Sequence, residues 1–153
     1  MRWPERLDPR RSWTGFLLTA GLGLVALFVL LDPAPSQGLG PAGKTAFWVL
    51  HILGPLALAQ ACQLMLSRHS RVFGNVWVSV AAAGLAASAL FAPVALGLDL
   101  LFGVPDDPVE GTGWLLAKVL DEWGALAPPV TLVWLGLNAV RVLRLHDDAP
   151  SPP

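Results

Sequence analysis

The sequence predicts an all-α membrane protein with four transmembrane helices and with both its N and C termini in the cytoplasm. Four stretches of the chain carry no Asp, Glu, Lys or Arg, and they cover residues 12–31, 45–67, 76–98 and 123–140. Each approaches or exceeds the ~18 to 20 residues that cross a hydrocarbon layer of ~30 Å. Because lipid offers no hydrogen bonds, such a segment satisfies its backbone only as a helix. The four stretches together predict one membrane domain over 12–140.

Composition is the second observation behind this prediction. Of the 153 residues, 54% are hydrophobic and 14% are charged, whereas average soluble domains contain roughly 25% charged residues. The connections between the stretches are too short for a second folded domain. The single cysteine, Cys62, excludes an intramolecular disulfide and is interpreted as a small packing residue.

The distribution of basic residues predicts the orientation. Eight of the ten Lys and Arg residues lie in the two tails and in the connection between the second and third stretches: Arg2, Arg6, Arg10, Arg11, Arg68, Arg71, Arg141 and Arg144. The other two connections contain only Lys44 and Lys118 and collect acidic residues. Since basic residues favour the cytoplasmic side, the basic tail 1–11 and the Pro-rich tail or linker 141–153 are predicted to be cytoplasmic. The predicted location is the bacterial inner membrane.

The connections differ in kind. Residues 32–44 are dense in Pro and Gly, which precludes a helix and predicts an ordered turn or a mobile outer loop. Residues 102–113 are interpreted as a loop. Residues 114–122 have two interpretations: a separate amphipathic lead-in helix, or the beginning of the fourth transmembrane helix.

Small residues predict how the helices associate. The third stretch carries five of them on adjacent stripes: Ser79, Ala83, Gly84, Ala87 and Ser88. Such a face lets another helix backbone approach closely, and the partner is either within this chain or in a second copy. In the fourth stretch, Pro128 and Pro129 each remove a backbone donor and predict a kink that could serve as a hinge.

Polar residues inside the stretches are the candidates for function. The second stretch contains His51, Gln60 and Gln63, and the fourth contains Asn138. Gln60 or Gln63 is expected at a depth similar to that of Asn138, so an interhelical hydrogen bond is feasible. Such bonds average ~0.6 kcal/mol. His51 can titrate, and it is interpreted either as a packing or capping residue or as a sensor of pH or of a ligand.

The chain also contains seven Trp residues. Most lie near the ends of the stretches, where an amphipathic ring prefers the level of the lipid headgroups, so anchoring is their expected role. Trp48 and Trp123 are the pair that could begin a ligand cage, since both are expected near the outer side.

Sequence motifs of enzymes are absent. No zinc-ligand spacing, Walker loop, GxSxG elbow or HExxH motif occurs, and none of the four stretches contains a carboxylate. His51 and His69 are 18 residues apart, or ~27 Å along a helix, which is too far to share a haem. We therefore predict a protein that is not an enzyme, with no catalytic residue, metal site or cofactor. The basic tails are too sparse for direct nucleic-acid contact and suit anionic lipid headgroups.

Two segments carry a resemblance to a known family. Residues 10–13, Arg-Arg-Ser-Trp, precede the first stretch, and residues 40–48, Gly-Pro-Ala-Gly-Lys-Thr-Ala-Phe-Trp, lead from the outer turn into the second. With four spans and a Pro-rich exit, this arrangement resembles the N-terminal membrane domain of bacterial LytTR-family transcriptional regulators. That family often shows Gly-Pro-Phe-Gly-Thr before a basic residue and an aromatic-Trp pair; here Asp-Pro-Ala-Pro-Ser at 32–36 only roughly replaces the first part.

The resemblance implies a membrane module whose effector is a cytoplasmic LytTR DNA-binding domain, which these 153 residues do not contain. Two functions are left open. The first is a non-catalytic membrane sensor or regulator that controls a LytTR-type transcription factor, fused or separate. The second is a small structural or accessory subunit of a membrane protein complex. The expected partners are the lipid bilayer together with the transcription factor, another membrane protein or a second copy of the chain.

Overall fold

The computed structural model describes residues 12–68, 75–104 and 113–147, with side chains described as far as Arg141. Within these ranges the chain forms four α-helices and one short 3-10 helix, Ala34–Ser36, and no strand. The helices are α1 (Trp13–Leu31), α2 (Pro41–Ser67), α3 (Val76–Phe102) and α4 (Trp114–Asp147).

Several predicted features lie outside the described residues. They are the tail 1–11, the end of the C-terminal tail, His69, Arg71, the acidic residues between 105 and 112, and the side chain of Arg144.

All four helices are long and apolar enough to cross a membrane. The prediction of an all-α protein with four such helices is confirmed. The third helix continues past the predicted stretch to Phe102, and the fourth helix begins at Trp114. Of the two interpretations of residues 114–122, the beginning of the fourth helix is therefore correct.

Side chains and glycine define where the helices begin and end. The hydroxyl of Ser12 accepts a hydrogen bond from the Gly15 N–H at 3.0 Å, and Asn75 caps the start of α3 in the same manner. Asp32, with φ of 47°, and Gly103, with φ of 71°, end α1 and α3 in the left-handed region. These caps satisfy backbone groups that have no partner inside a helix.

The helices pack in chain order, α1 on α2, α2 on α3 and α3 on α4, and α2 also contacts α4. We call the end with the connections 32–40 and 103–113 the loop end, and the end where α1 begins and α4 finishes the terminal end. Buried residues from all four helices form the core: Leu17, Leu56, Ala59, Cys62, Val80, Ala83, Ala87 and Trp134.

The small residues of α3 lie at the centre of this packing. All five residues of the predicted face are buried. A Cβ atom added to Gly84 would lie 2.9 Å from the Cα of Thr131 in α4. The two backbones therefore meet at Gly84, and the partner of this face is α4 of the same chain.

Asp32 orders the connection between α1 and α2. Its carboxylate accepts hydrogen bonds from the Ser36 hydroxyl and from the Lys44 ammonium. The hydrogen bond from Lys44 lowers the pKa of Asp32 below its ordinary value. The segment that the sequence predicted as a turn or a mobile loop is thus a turn held by an ion pair.

Replacing Asp32 with Asn should lower the melting temperature of the detergent-solubilised protein near neutral pH. Because the folded-state pKa is lowered, the carboxylate stabilises the fold above its unfolded pKa of about 3.9, and this contribution disappears as the pH falls through the folded value. Asn tolerates the left-handed backbone at this position, so the change isolates the charge. Melting curves at pH ~7 and below pH ~3 test this expectation. A loss of equal size at both values would contradict the ionic origin.

Candidate functional site

His51 lies in α2 towards the loop end, enclosed by aromatic rings. It stacks on Phe47 at a centroid distance of 4.0 Å and meets the edges of Phe91 at 6.1 Å and Trp48 at 6.4 Å. Gly54 provides the space for Phe91, since a Cβ atom there would lie 2.6 Å from the ring. The His51 side chain is only 10% exposed as a result.

The partner of His51 is Asp99 of α3. The imidazole Nε2 lies 3.2 Å from Oδ1 of Asp99, whose side chain is 24% exposed. This is an ion-pair distance, although Nε2 makes no hydrogen bond of good geometry. The sequence analysis assigned Asp99 to the connection after the third stretch. The structure instead includes it in the last turn of α3, which ends at Gly103.

The position of Asp99 on its helix is unfavourable for a free carboxylate. The C-terminal end of an α-helix carries a partial negative charge, which repels an anion in the last turn. A neighbouring cation or a proton offsets this repulsion, and His51 can supply either. The pair thus has a physical reason that lies in its chemistry rather than in helix stability.

Hydrogen bonding assigns one proton of His51. The ring Nδ1 lies 2.9 Å from the backbone carbonyl of Phe47. A carbonyl only accepts, so Nδ1 carries the hydrogen in this arrangement. An unprotonated Nε2 would then present its lone pair to a carboxylate oxygen. The close approach is favourable only when one more proton is present, either on Nε2 or on Asp99. The two side chains form a proton-sharing pair between α2 and α3.

The other polar residues singled out in the sequence have separate partners. Gln60 accepts a hydrogen bond from the indole of Trp13 at 2.6 Å, and Gln63 donates to Ser79 at 3.3 Å. Asn138 donates to a carbonyl of its own helix, that of Trp134. The suggested bond between a glutamine and Asn138 is wrong. These three side chains fix helix contacts nearer the terminal end and do not join the His51 site.

The two Trp residues considered for a ligand cage have different surroundings. Trp48 packs on Phe28 of α1 at 4.6 Å, whereas Trp123 of α4 donates to the hydroxyl of Ser88 at 3.1 Å. Trp48 therefore belongs to the aromatic surroundings of His51, and Trp123 to the contact between α3 and α4. Pro128 and Pro129 lie inside an uninterrupted α4, so the hinge stays a prediction.

The fold and site define an all-helical protein with four helices that could span a membrane and one proton-sharing pair between two of them. In the ranges that the structure describes, no group of three or more His, Cys, Asp or Glu side chains could hold a metal ion. Comparisons with protein families, curated proteins and solved structures find no match to this chain.

Proposed function

We propose that the chain is a non-catalytic sensor module of the bacterial inner membrane that controls a cytoplasmic LytTR-type transcription factor, either fused to it or separate. The loop end faces outwards, as the basic residues at the terminal end predict. The single observation that carries the proposal is the contact between His51 and Asp99, 3.2 Å apart and belonging to different helices. An ionisable group at membrane depth is a functional candidate because maintaining it there is costly.

The stimulus in this proposal is the proton concentration at the loop end. Removing the shared proton leaves a carboxylate facing a ring lone pair, and the two side chains repel each other. Adding a second proton leaves a cationic ring without an anionic neighbour. Either change alters the contact between α2 and α3. Histidine suits this role because its protonation changes between about pH 5 and pH 8.

The surroundings of His51 favour this pair as the titrating contact. The residues that α1 and α4 place beside His51 are apolar: Leu24, Phe28, Leu126, Pro129, Val130 and Val133. Other charged side chains described at the loop end are Asp32, Lys44, Lys118, Asp121 and Glu122. Asp32 and Lys44 pair with each other, and the last three lie in the first turns of α4.

Two contacts could carry the change to the terminal end. The backbones of α3 and α4 touch at Gly84 and Thr131, so a displacement of α3 acts directly on α4. At the terminal end, the guanidinium of Arg141 lies 5.2 Å from the ring of Trp13 in α1. A proton shifts this equilibrium by as much as its affinity differs between the two helix arrangements.

A transcriptional reporter tests the proposal. A LytTR-type DNA-binding domain fused after Pro153 should give an output that changes as the external pH varies between about 5 and about 8. In Asp99→Asn the amide can donate permanently to Nε2, which mimics the protonated pair, so the output should be constant. His51→Gln should also abolish the response.

Lys44→Gln serves as the control, because it removes a charge at the loop end without touching the pair and should keep the pH response. Melting temperatures and membrane levels of all variants must be comparable to the parent. If Asp99→Asn and His51→Gln respond to pH as the parent does, the pair is a packing contact. The accessory-subunit function then becomes the better explanation.

A further inference from the structure

A groove of about 240 Å³ lies between α1 and α4, over the surface of α2. Leu24 and Phe28 form one wall, Leu126 and Val130 belong to the other, and Trp48 and His51 contribute to the floor. The walls are apolar throughout. The groove exists because α1 and α4 both pack beside α2 and make little contact with each other.

The contact between α1 and α4 is towards the terminal end. There Trp13 meets the edge of Trp134 at 6.2 Å. Towards the loop end the two helices leave the groove partly open. Both helices are able to span a membrane, so the opening between them faces the acyl chains of the bilayer.

Two polar atoms in the groove residues have no hydrogen-bond partner. They are the Trp48 indole N–H and Nε2 of His51, and both atoms are buried. Trp48 is 9% exposed and the His51 side chain 10%. Buried donors in folded proteins are almost always paired. An indole nitrogen can only donate, so its missing partner is a hydrogen-bond acceptor.

We propose that the groove binds one acyl chain of a phospholipid whose ester carbonyl accepts a hydrogen bond from Trp48. The helix α2 has 27 residues, or ~40 Å at 1.5 Å per residue, which exceeds the ~30 Å hydrocarbon core by ~5 Å at each end. Trp48 is seven residues from the start of α2, or ~10 Å, so its indole lies within ~5 Å of the boundary of the hydrocarbon.

Charge favours a neutral acceptor over an acidic one. Asp99 lies beside His51, so the groove offers no uncompensated positive charge to a fatty-acid carboxylate. An ester carbonyl needs none. This lipid site goes beyond the proposed pH response and does not depend on it.

Lipid binding by the purified, delipidated full chain tests the proposal. Native mass spectrometry with dioleoyl phosphatidylethanolamine should show one tightly bound lipid, and the matching diether lipid, which lacks the ester carbonyls, should bind roughly fivefold more weakly, as expected for one lost hydrogen bond. In Trp48→Phe, which keeps a ring but lacks the donor, the preference for the ester lipid should disappear.

Two groove-filling variants, Val130→Trp and Leu24→Trp, should lose the bound lipid. Leu22→Trp, which adds the same ring to an exposed position of α1, should keep it. The proposal is overturned if both filled variants retain the lipid, or if the ester preference is absent in the parent or unchanged in Trp48→Phe. Asp99→Asn should keep the ester preference, so failure of the pH response and failure of the lipid site are distinguishable.

Discussion

Replacing Gly84 with Leu should force α3 and α4 apart and lower the melting temperature of the solubilised protein more strongly than a change at the helix surface. Even the first added carbon, at 2.9 Å from Thr131 Cα, meets backbone that cannot rotate away. Overpacking a close contact costs typically ~1 to 3 kcal/mol, and association within a membrane depends on close approach of this kind. Gly84→Ala should already show a loss, and Gly84→Leu a larger one.

Gly97→Ala is the matched control on the same helix. A Cβ atom at Gly97 has no neighbouring atom within 4 Å, so the melting temperature should stay the same or rise slightly, because Ala has the higher helix propensity. Leu90→Ile conserves volume at an exposed position and should also have little effect. Equal losses in Gly84→Ala and Gly97→Ala would show that helix propensity rather than the contact with α4 decides stability.

The sequence predicted the helices well because the cause is local. A stretch without charges long enough to cross lipid has one way to satisfy its backbone. The small-residue face of α3 could also be recognised, since side-chain size is visible in the sequence and the periodicity of a helix brings Ser79, Ala83 and Ala87 together. Which helix meets that face depends on tertiary packing, and the structure identifies α4.

The partner of His51 was missed for a physical reason. Ending a stretch at its first charge excluded Asp99, although the helix continues to Phe102 and ends where Gly103 adopts a positive φ. The glycine was a signal for the true helix end. The contact itself also depends on how α2 and α3 are rotated about their axes. Counting residues estimates the depth of a side chain and leaves this rotation undetermined.

The wrong glutamine–asparagine pairing has the same origin. Gln60 and Asn138 were matched by depth alone, but Gln60 points to Trp13 of α1 and Asn138 to the carbonyl of Trp134 in its own helix. The partner of Gln60 was hard to foresee because Trp13 was interpreted as an interfacial anchor. An indole can bury its ring between helices and still donate its N–H, and here it does both.

Replacing Trp134 with Ala should cause a loss of stability at least as large as that of Gly84→Leu. Trp134 is fully buried and belongs to the core cluster with residues of α1, α2 and α3. Truncating a buried aromatic ring to Ala costs ~3 to 5 kcal/mol because the surrounding structure fills the cavity only in part. The melting temperature of the detergent-solubilised variant, followed by far-ultraviolet circular dichroism, measures this loss.

Trp134→Phe separates the volume of the ring from its N–H group. The indole nitrogen is buried and has no hydrogen-bond partner in the structure, so its removal sacrifices no hydrogen bond and relieves an unpaired donor. Phe keeps part of the contact with Trp13, whose ring lies 6.2 Å away. The Phe variant should therefore lose much less stability than the Ala variant. If both variants lose the same amount, the N–H group contributes a bond that the packing argument omits, and the close contact of α1 with α4 depends on polarity as well as on shape.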